Sequence, residues 1–418
     1  MPPVSLPQVH RPTPTKSPHP AAALPTAGKI AGLYMHVPFC SHKCHYCDFY
    51  SLVDTRDRQA PFVGRVMEEL TFFARFAANT PIRTIFVGGG TPSLLAPDLW
   101  RRLMEHMDRT FDLSAMGAGD GEWTVECNPD SVTAELAGVL VEGGVNRISM
   151  GAQSFNAAHL KTLERTHNPE NVAVALELFA RAGIRRTNID LIFGVPGQTL
   201  AEWQHDLDTA VSLGTGHISC YDLTYEAGTA MTARLKRGEF EPAEEDVEVA
   251  MFEATIDSLA RAGLERYEVS NYARPGEECR HNLGYWRHTP WIGAGPSASA
   301  FIEGHRWKNV ARLDDYLQGA GLGPPPIRDH ELPDAGRLVK ERLMTGLRLR
   351  EGLAADEIMS AAEHARPGSA DRMRTVVERE VERGRMESGS GSTLRLTRPG
   401  MLIADAIVVE FLAAFDGD

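Results

Sequence analysis

Long apolar runs are missing from the 418 residues. None approaches the ~18 to 20 residues that a bilayer span needs. The best candidate, Met401–Phe415, is broken by Asp405 and Glu410 and reads as a core segment. Positive charge is in deficit, with 43 Lys and Arg against 56 Asp and Glu, a net −13. Like charges repel, so the chain is not expected to bind nucleic acid or anionic membrane in general. Cysteine is scarce: there are six, and three of them fall within eight residues. A disulfide framework would spread its cysteines through a small secreted chain, whereas a clustered trio points to metal. Cys127, Cys220 and Cys279 stand alone and read as buried or incidental thiols. The stretch 1–28 is rich in Pro, Ala and Thr and has no apolar segment long enough for a secretory signal. It reads as a disordered leader, and the chain as cytoplasmic.

What is present is alternation. Strand-like runs at Gly32–Val37, Thr84–Val87, Trp123–Cys127, Arg147–Met150, Thr187–Ile192 and His217–Tyr221 are separated by helical patterns. Those patterns cover Ala60–Ala78, Pro97–Thr110, Val132–Glu142, Pro169–Ala182 and Leu200–Leu213, with Gly183 and Gly214 as stops. Such spacing means parallel βαβ units. Six fit before about residue 230, too few to close an eight-unit barrel unless later strands complete it. Polar clusters follow the apolar runs, as they do where chemistry sits at strand ends. A long helical pattern, Ala243–Ala262, and an aromatic-rich stretch to Trp307 come next. From about Asp329 Arg/Glu-rich helices, a short hairpin near Leu394–Thr397 and a last apolar helix read as a winged-helix-like unit. The expected organisation is therefore a leader at 1–28, a core at 29–240, an extension at 241–328 and a C-terminal domain at 329–418.

The segment CSHKCHYC places Cys40, Cys44 and Cys47 at C-x3-C-x2-C spacing. Thiolates are the usual ligands of iron–sulfur clusters. Three on one loop can hold three irons of a cubane and leave the fourth open. The competing reading is structural zinc, which wants four protein ligands. No second CxxC or CxxH pair exists, though His36, His42 and His45 keep zinc open.

The run LYMHVPFCSHKCHYCDF resembles the radical SAM superfamily, in the branch around the oxygen-independent coproporphyrinogen oxidases. That resemblance implies a [4Fe–4S] cluster on Cys40, Cys44 and Cys47. It also implies S-adenosylmethionine (SAM) chelated by the open iron and cleaved to methionine and a 5′-deoxyadenosyl radical. It implies a partial (β/α)6 barrel of the TIM-like kind. Tyr46 matches an aromatic position beside the cofactor. Gly89, Gly90 and Thr91, in GGGTP, match contacts in the loop that meets the SAM amino group; glycines there let a ligand approach the backbone. Glu126, Gln153, Arg165 and Asp190, each near a strand end, match further SAM contacts, as does Tyr34 on the first strand.

Two features separate this chain from the oxidases. They carry a fourth cysteine two places after the third, where this chain has Phe49. They are also not expected to carry the segment from Tyr267 to Trp286. Both features resemble the haem chaperone group called HemW. There, the resemblance implies, an H-N-x-x-Y-W element binds haem; here it is His281, Asn282, Tyr285 and Trp286. A neutral imidazole is a good axial ligand for haem iron, and nearby rings can pack on a porphyrin face. Without the resemblance, His281 reads as a hydrogen-bonded core histidine. Cys279 is set aside as a haem ligand or attachment point. The implied function is haem binding and transfer to an acceptor protein whose identity is open, at a membrane or not. The electron donor and any pairing of two copies are also open. Coproporphyrinogen III oxidation is the alternative.

Overall fold

Six parallel strands, laid down in sequence order, carry the architecture: β1 Gly32–Val37, β2 Thr84–Gly89, β3 Glu122–Cys127, β4 Arg147–Gln153, β5 Arg186–Phe193 and β6 His217–Asp222. The computed structural model describes residues 24–25, 28–78, 80–318, 327–388 and 393–417. The expected leader lies mostly outside the described residues. Of its described part, Leu24 is buried against the main core.

Each strand is apolar because helices cover the sheet, and parallel strands are buried on both faces. The register steps evenly, with Gly32, Thr84 and Glu122 level with one another at the strand starts and Val37 level with Gly89 at the ends. The intervening helices begin and stop on local chemistry. Thr199 and Glu202 form a reciprocal capping box at Leu200–Ser212. Gly183, at φ +113°, ends Asn171–Ala182 in the left-handed region. The helix expected over Ala60–Ala78 is α-helical only over Gln59–Phe73. It then tightens into a 3-10 turn, Ala74–Ala77, where Phe73 and Phe76 pack together.

The sheet does not stop at six strands. β7 Glu265–Arg266 and β8 Asn271–Ala273 extend it beside β6. On the other edge, β9 Trp291–Ala294 runs parallel to β1, followed by β10 Ser299–Ile302, β11 His305–Asn309 and β12 Ile327–Glu331. No further parallel βα unit closes the barrel among the described residues. Residues 241–318 and 327–328 share the main hydrophobic core, through Met251, Leu259, Ile292, Trp307 and Ile327.

A second core, Val339 to Phe415, forms at the C-terminal end. Helix Ala335–Gly346 leads to β13 Leu353–Ala354, then helices Ala355–Ala365 and Ser369–Glu382, then the hairpin β14 Met386–Ser388 and β15 Thr393–Leu396. That order is the winged-helix order. Two helices, Arg398–Leu402 and Ala404–Asp416, close the unit. Among the described residues no helix is long and apolar enough to cross a membrane.

Candidate functional site

The strand ends open onto a cavity of about 510 Å³. Its first wall is the loop after β1, where the backbone is stitched by Cys40 N–H to Leu52 O (2.9 Å) and Leu52 N–H to Pro38 O (2.8 Å). The glycine loop after β2 is stapled onto it by Gly90 N–H to Val37 O and Thr91 N–H to Phe39 O, both 2.7 Å. A Cβ on Gly90 would lie 2.7 Å from Phe39 O, so only glycine permits this approach.

Cys40, Cys44 and Cys47 all face the cavity and none is in a disulfide. Each has a donor beside its sulfur: Thr91 Oγ1–H for Cys40 (3.5 Å), Arg165 Nη1–H for Cys44 (3.8 Å) and the Lys43 ammonium for Cys47 (4.0 Å). Burial pushes the Cys47 thiol up, and Lys43 pulls it back. Two cations and a hydroxyl around three sulfurs suit thiolates that ligate iron. The zinc alternative finds less support. His36 is committed on both sides, accepting from Tyr34 Oη–H at Nδ1 (3.0 Å) and donating from Nε2 to Tyr50 O (2.7 Å).

Tyr46, Gly89, Gly90, Thr91, Glu126, Gln153, Arg165 and Asp190 line the same cavity. Glu126 accepts the Gly89 N–H (3.1 Å), and burial together with the neighbouring Asp190 carboxyl pushes it up to about 7. Burial raises Asp190 too, against hydrogen bonds from Ser219, Asn188 and Ser149. Arg165 donates from Nη2 to Gly151 O (2.6 Å), while its buried Nε has no hydrogen-bond partner. A guanidinium so placed can take a carboxylate from a ligand. Gln153 sits at φ +67° where the β4 register slips, a backbone strain that a non-glycine residue rarely accepts.

Tyr34 is not among the residues that line the cavity, although the Glu126 carboxyl in its wall acts on it. It stands level with Phe86, three residues below the Val37–Gly89 level, roughly 10 Å deeper along the strand. Its ring stacks on Phe86 and its hydroxyl serves His36.

The HNLGYW segment forms a seven-residue helix, Arg280–Trp286, and lies at the opposite end of the barrel. It plugs the floor, against residues that begin the strands. His281 Nδ1 meets Thr84 Oγ1 (2.9 Å), and Glu122 accepts the N–H groups of His281 (3.1 Å) and Arg280 (3.2 Å). Burial raises the Glu122 carboxyl, but Arg147, Arg186 and those amides outweigh it and the net direction is down. His281 is buried; its Nε2 accepts from Tyr285 Oη–H (2.8 Å), and burial lowers its pKa to about 4. Both nitrogens of the expected haem ligand are thus engaged in this conformation. Asn282 and Trp286 are part-exposed.

Sequence reasoning missed Ser149 and Asn188, which meet Asp190, and the floor residues Glu122, Thr84 and His217. The signal for Asn188 was available: in T-N-I-D it is two residues before Asp190, on the same face of a strand.

A six-stranded parallel barrel with three thiols at the mouth defines a class. The Radical SAM superfamily model matches residues 34–210. The coproporphyrinogen III oxidase HemN of Escherichia coli, a radical SAM enzyme of known structure, superposes with TM-score 0.78 over 92% of this chain and 90% of that one. At 21% identity this likeness speaks for the fold alone. Among curated proteins, the heme chaperone HemW of Mycobacterium tuberculosis is 36% identical over 92% of this chain and 95% of its own length. The heme chaperone HemW of Bacillus subtilis is 31% identical over 91% and 98%. The chain belongs to the HemW heme chaperone family of the radical SAM superfamily.

Proposed function

We propose that this chain is a haem chaperone, which holds haem and passes it to an acceptor protein, on a scaffold carrying a [4Fe–4S] cluster and SAM. The observation that carries the cofactor half is the meeting of three unpaired cysteines with eight further family positions in one cavity. Cys40, Cys44 and Cys47 hold the cluster. When bound, it supplies an open iron that chelates SAM and an electron that can cleave it. Arg165 and Lys43 balance the sulfur charge and the Thr91 hydroxyl donates to Cys40, Glu126 and Asp190 receive the cationic end of SAM, and the free side of Arg165 receives its carboxylate. Tyr46 packs beside it.

The haem half rests on family membership and on Phe49. Where the oxidases carry a fourth cysteine, this side chain is 63% exposed on the cavity rim. His281, Asn282, Tyr285 and Trp286 are the haem element in this reading, and His281 offers Nε2 to iron by giving up its Tyr285 hydrogen bond. A hydrogen bond of this kind is worth about 1 kcal/mol net. Tyr285→Phe should therefore tighten haem binding by roughly fivefold, and His281→Ala should weaken it at least tenfold. Haem titration followed by absorbance measures both. Unchanged affinity in His281→Ala would take this histidine out of the haem site.

The second reading is coproporphyrinogen III oxidation, favoured by the completeness of the SAM cavity. An anaerobic assay with reconstituted cluster, reductant and SAM separates the two: robust porphyrinogen decarboxylation supports the oxidase.

A further inference from the structure

A line of buried polar side chains runs down the barrel lumen from the cavity to its floor. At the top, Asp190 Oδ1 accepts from Asn188 Nδ2–H (2.8 Å). Asn188 Oδ1 meets His217 Nδ1 (2.6 Å), and His217 Nε2 meets Tyr267 Oη (2.8 Å). Tyr267 Oη accepts from Cys279 N–H (3.3 Å), the residue that caps the Arg280–Trp286 helix. Asn188 and His217 are both buried.

The chemistry of the line gives it one sense. Tyr267 already accepts from an amide, so its own proton goes to His217 Nε2. That places the His217 proton on Nδ1, which donates to Asn188 Oδ1. With its oxygen held there, the Asn188 amide must turn its NH2 toward Asp190 (2.8 Å) and Ser149 (2.7 Å). Flipping that amide would aim a carbonyl at the Asp190 carboxyl. Burial, with Arg147 and Arg186 near, keeps the His217 ring neutral, as the relay requires.

We propose that Asn188, His217 and Tyr267 are positioning residues that tie Asp190 in the SAM cavity to the floor helix bearing the HNLGYW element, so that the two ends of the barrel are energetically coupled. This rests on the reading of the cavity as the SAM site. Tyr267→Phe deletes one hydroxyl, frees His217 to take the other tautomer and releases the Asn188 amide. Asp190 and Tyr267 do not touch, and substitutions at separated, independent sites act additively. Non-additivity is therefore the signature of the line.

The test is a double-mutant cycle on cluster-reconstituted protein, with SAM affinity measured by calorimetry in wild type, Asp190→Asn, Tyr267→Phe and the double variant. Tyr267→Phe should weaken SAM three- to tenfold when Asp190 is present and change it less than twofold when Asn stands there. Hydrogen exchange on the wild-type protein is the second measurement. SAM should slow exchange at the amides of Cys279 and His281, and Tyr267→Phe should abolish that slowing. Additive effects in the cycle, or unchanged floor amides, would overturn the proposal. A merely structural role for Tyr267 would lower stability and leave SAM affinity alone, which also counts against it. Wild-type protein that binds no SAM would instead strike the reading of the cavity itself.

Discussion

Cys44→Ala should abolish the iron–sulfur chromophore of anaerobically reconstituted protein, with iron and sulfide falling to background. Three thiolates are the fewest that hold a cubane with one open iron, and losing one leaves two irons without protein ligands. Cys44 is also the sulfur facing Arg165, so its loss leaves that half-buried guanidinium without its sulfur partner. The informative control is Cys127→Ala. Cys127 lines the same cavity and is the only further thiol there among the described residues, yet it is buried and burial pushes its pKa up, as for an inert thiol. It should keep the full chromophore and lose only packing, about 1 kcal/mol. Loss of the chromophore in Cys127→Ala would make Cys127 a fourth ligand and close the iron that SAM needs. A full chromophore in Cys44→Ala would remove the cluster from this loop altogether.

Much of this site could be read in the sequence because it is local. Three cysteines within eight residues, and GGGTP directly after an apolar run, need no tertiary information to stand out. The six strands were legible for the same reason, since each is a short apolar run bounded by helix caps. Two things were not legible. Depth along a strand was one: only the register puts Tyr34 level with Phe86 and three residues below the Val37–Gly89 level, with its hydroxyl reaching up to His36. The other was the floor. His281 lies 197 residues from Thr84 and 159 from Glu122, and nothing in its own neighbourhood says that it meets them. Hydrophobic periodicity finds elements, but it does not say which end of a barrel a later helix will plug. Strands β7 to β12 were missed because they are short, two to five residues each, too few for a period to show.

Glu126→Gln should separate stability from binding. The native carboxyl lies near 7 against an ordinary value of 4.5, chiefly because it is buried and also because Asp190 faces it. The unfolded chain thus releases its proton first as pH rises. The penalty on the native state is absent below pH 4.5, grows up to about 7 and is constant above. At pH 8 it is on the order of 3 kcal/mol before relaxation. Glutamine is neutral at every pH and can still accept the Gly89 N–H. The variant, freed of cluster and SAM, should therefore resist urea better than the parent at pH 8 and match it near pH 4.5. SAM binding should move the other way. The cationic end of the ligand needs an ionised carboxylate, so binding releases a proton and wild-type affinity should rise up to tenfold per pH unit below about 7. Removing one partner of a buried charge pair costs roughly 2–5 kcal/mol, so Glu126→Gln should weaken SAM by about two to three orders of magnitude and flatten its pH profile. A variant that binds SAM as tightly as wild type, with the same pH dependence, would show that Glu126 serves only to brace the glycine loop. The gain in fold stability matters as much as the loss of binding. A carboxylate that the empty fold is better off without is one that the fold keeps for a ligand.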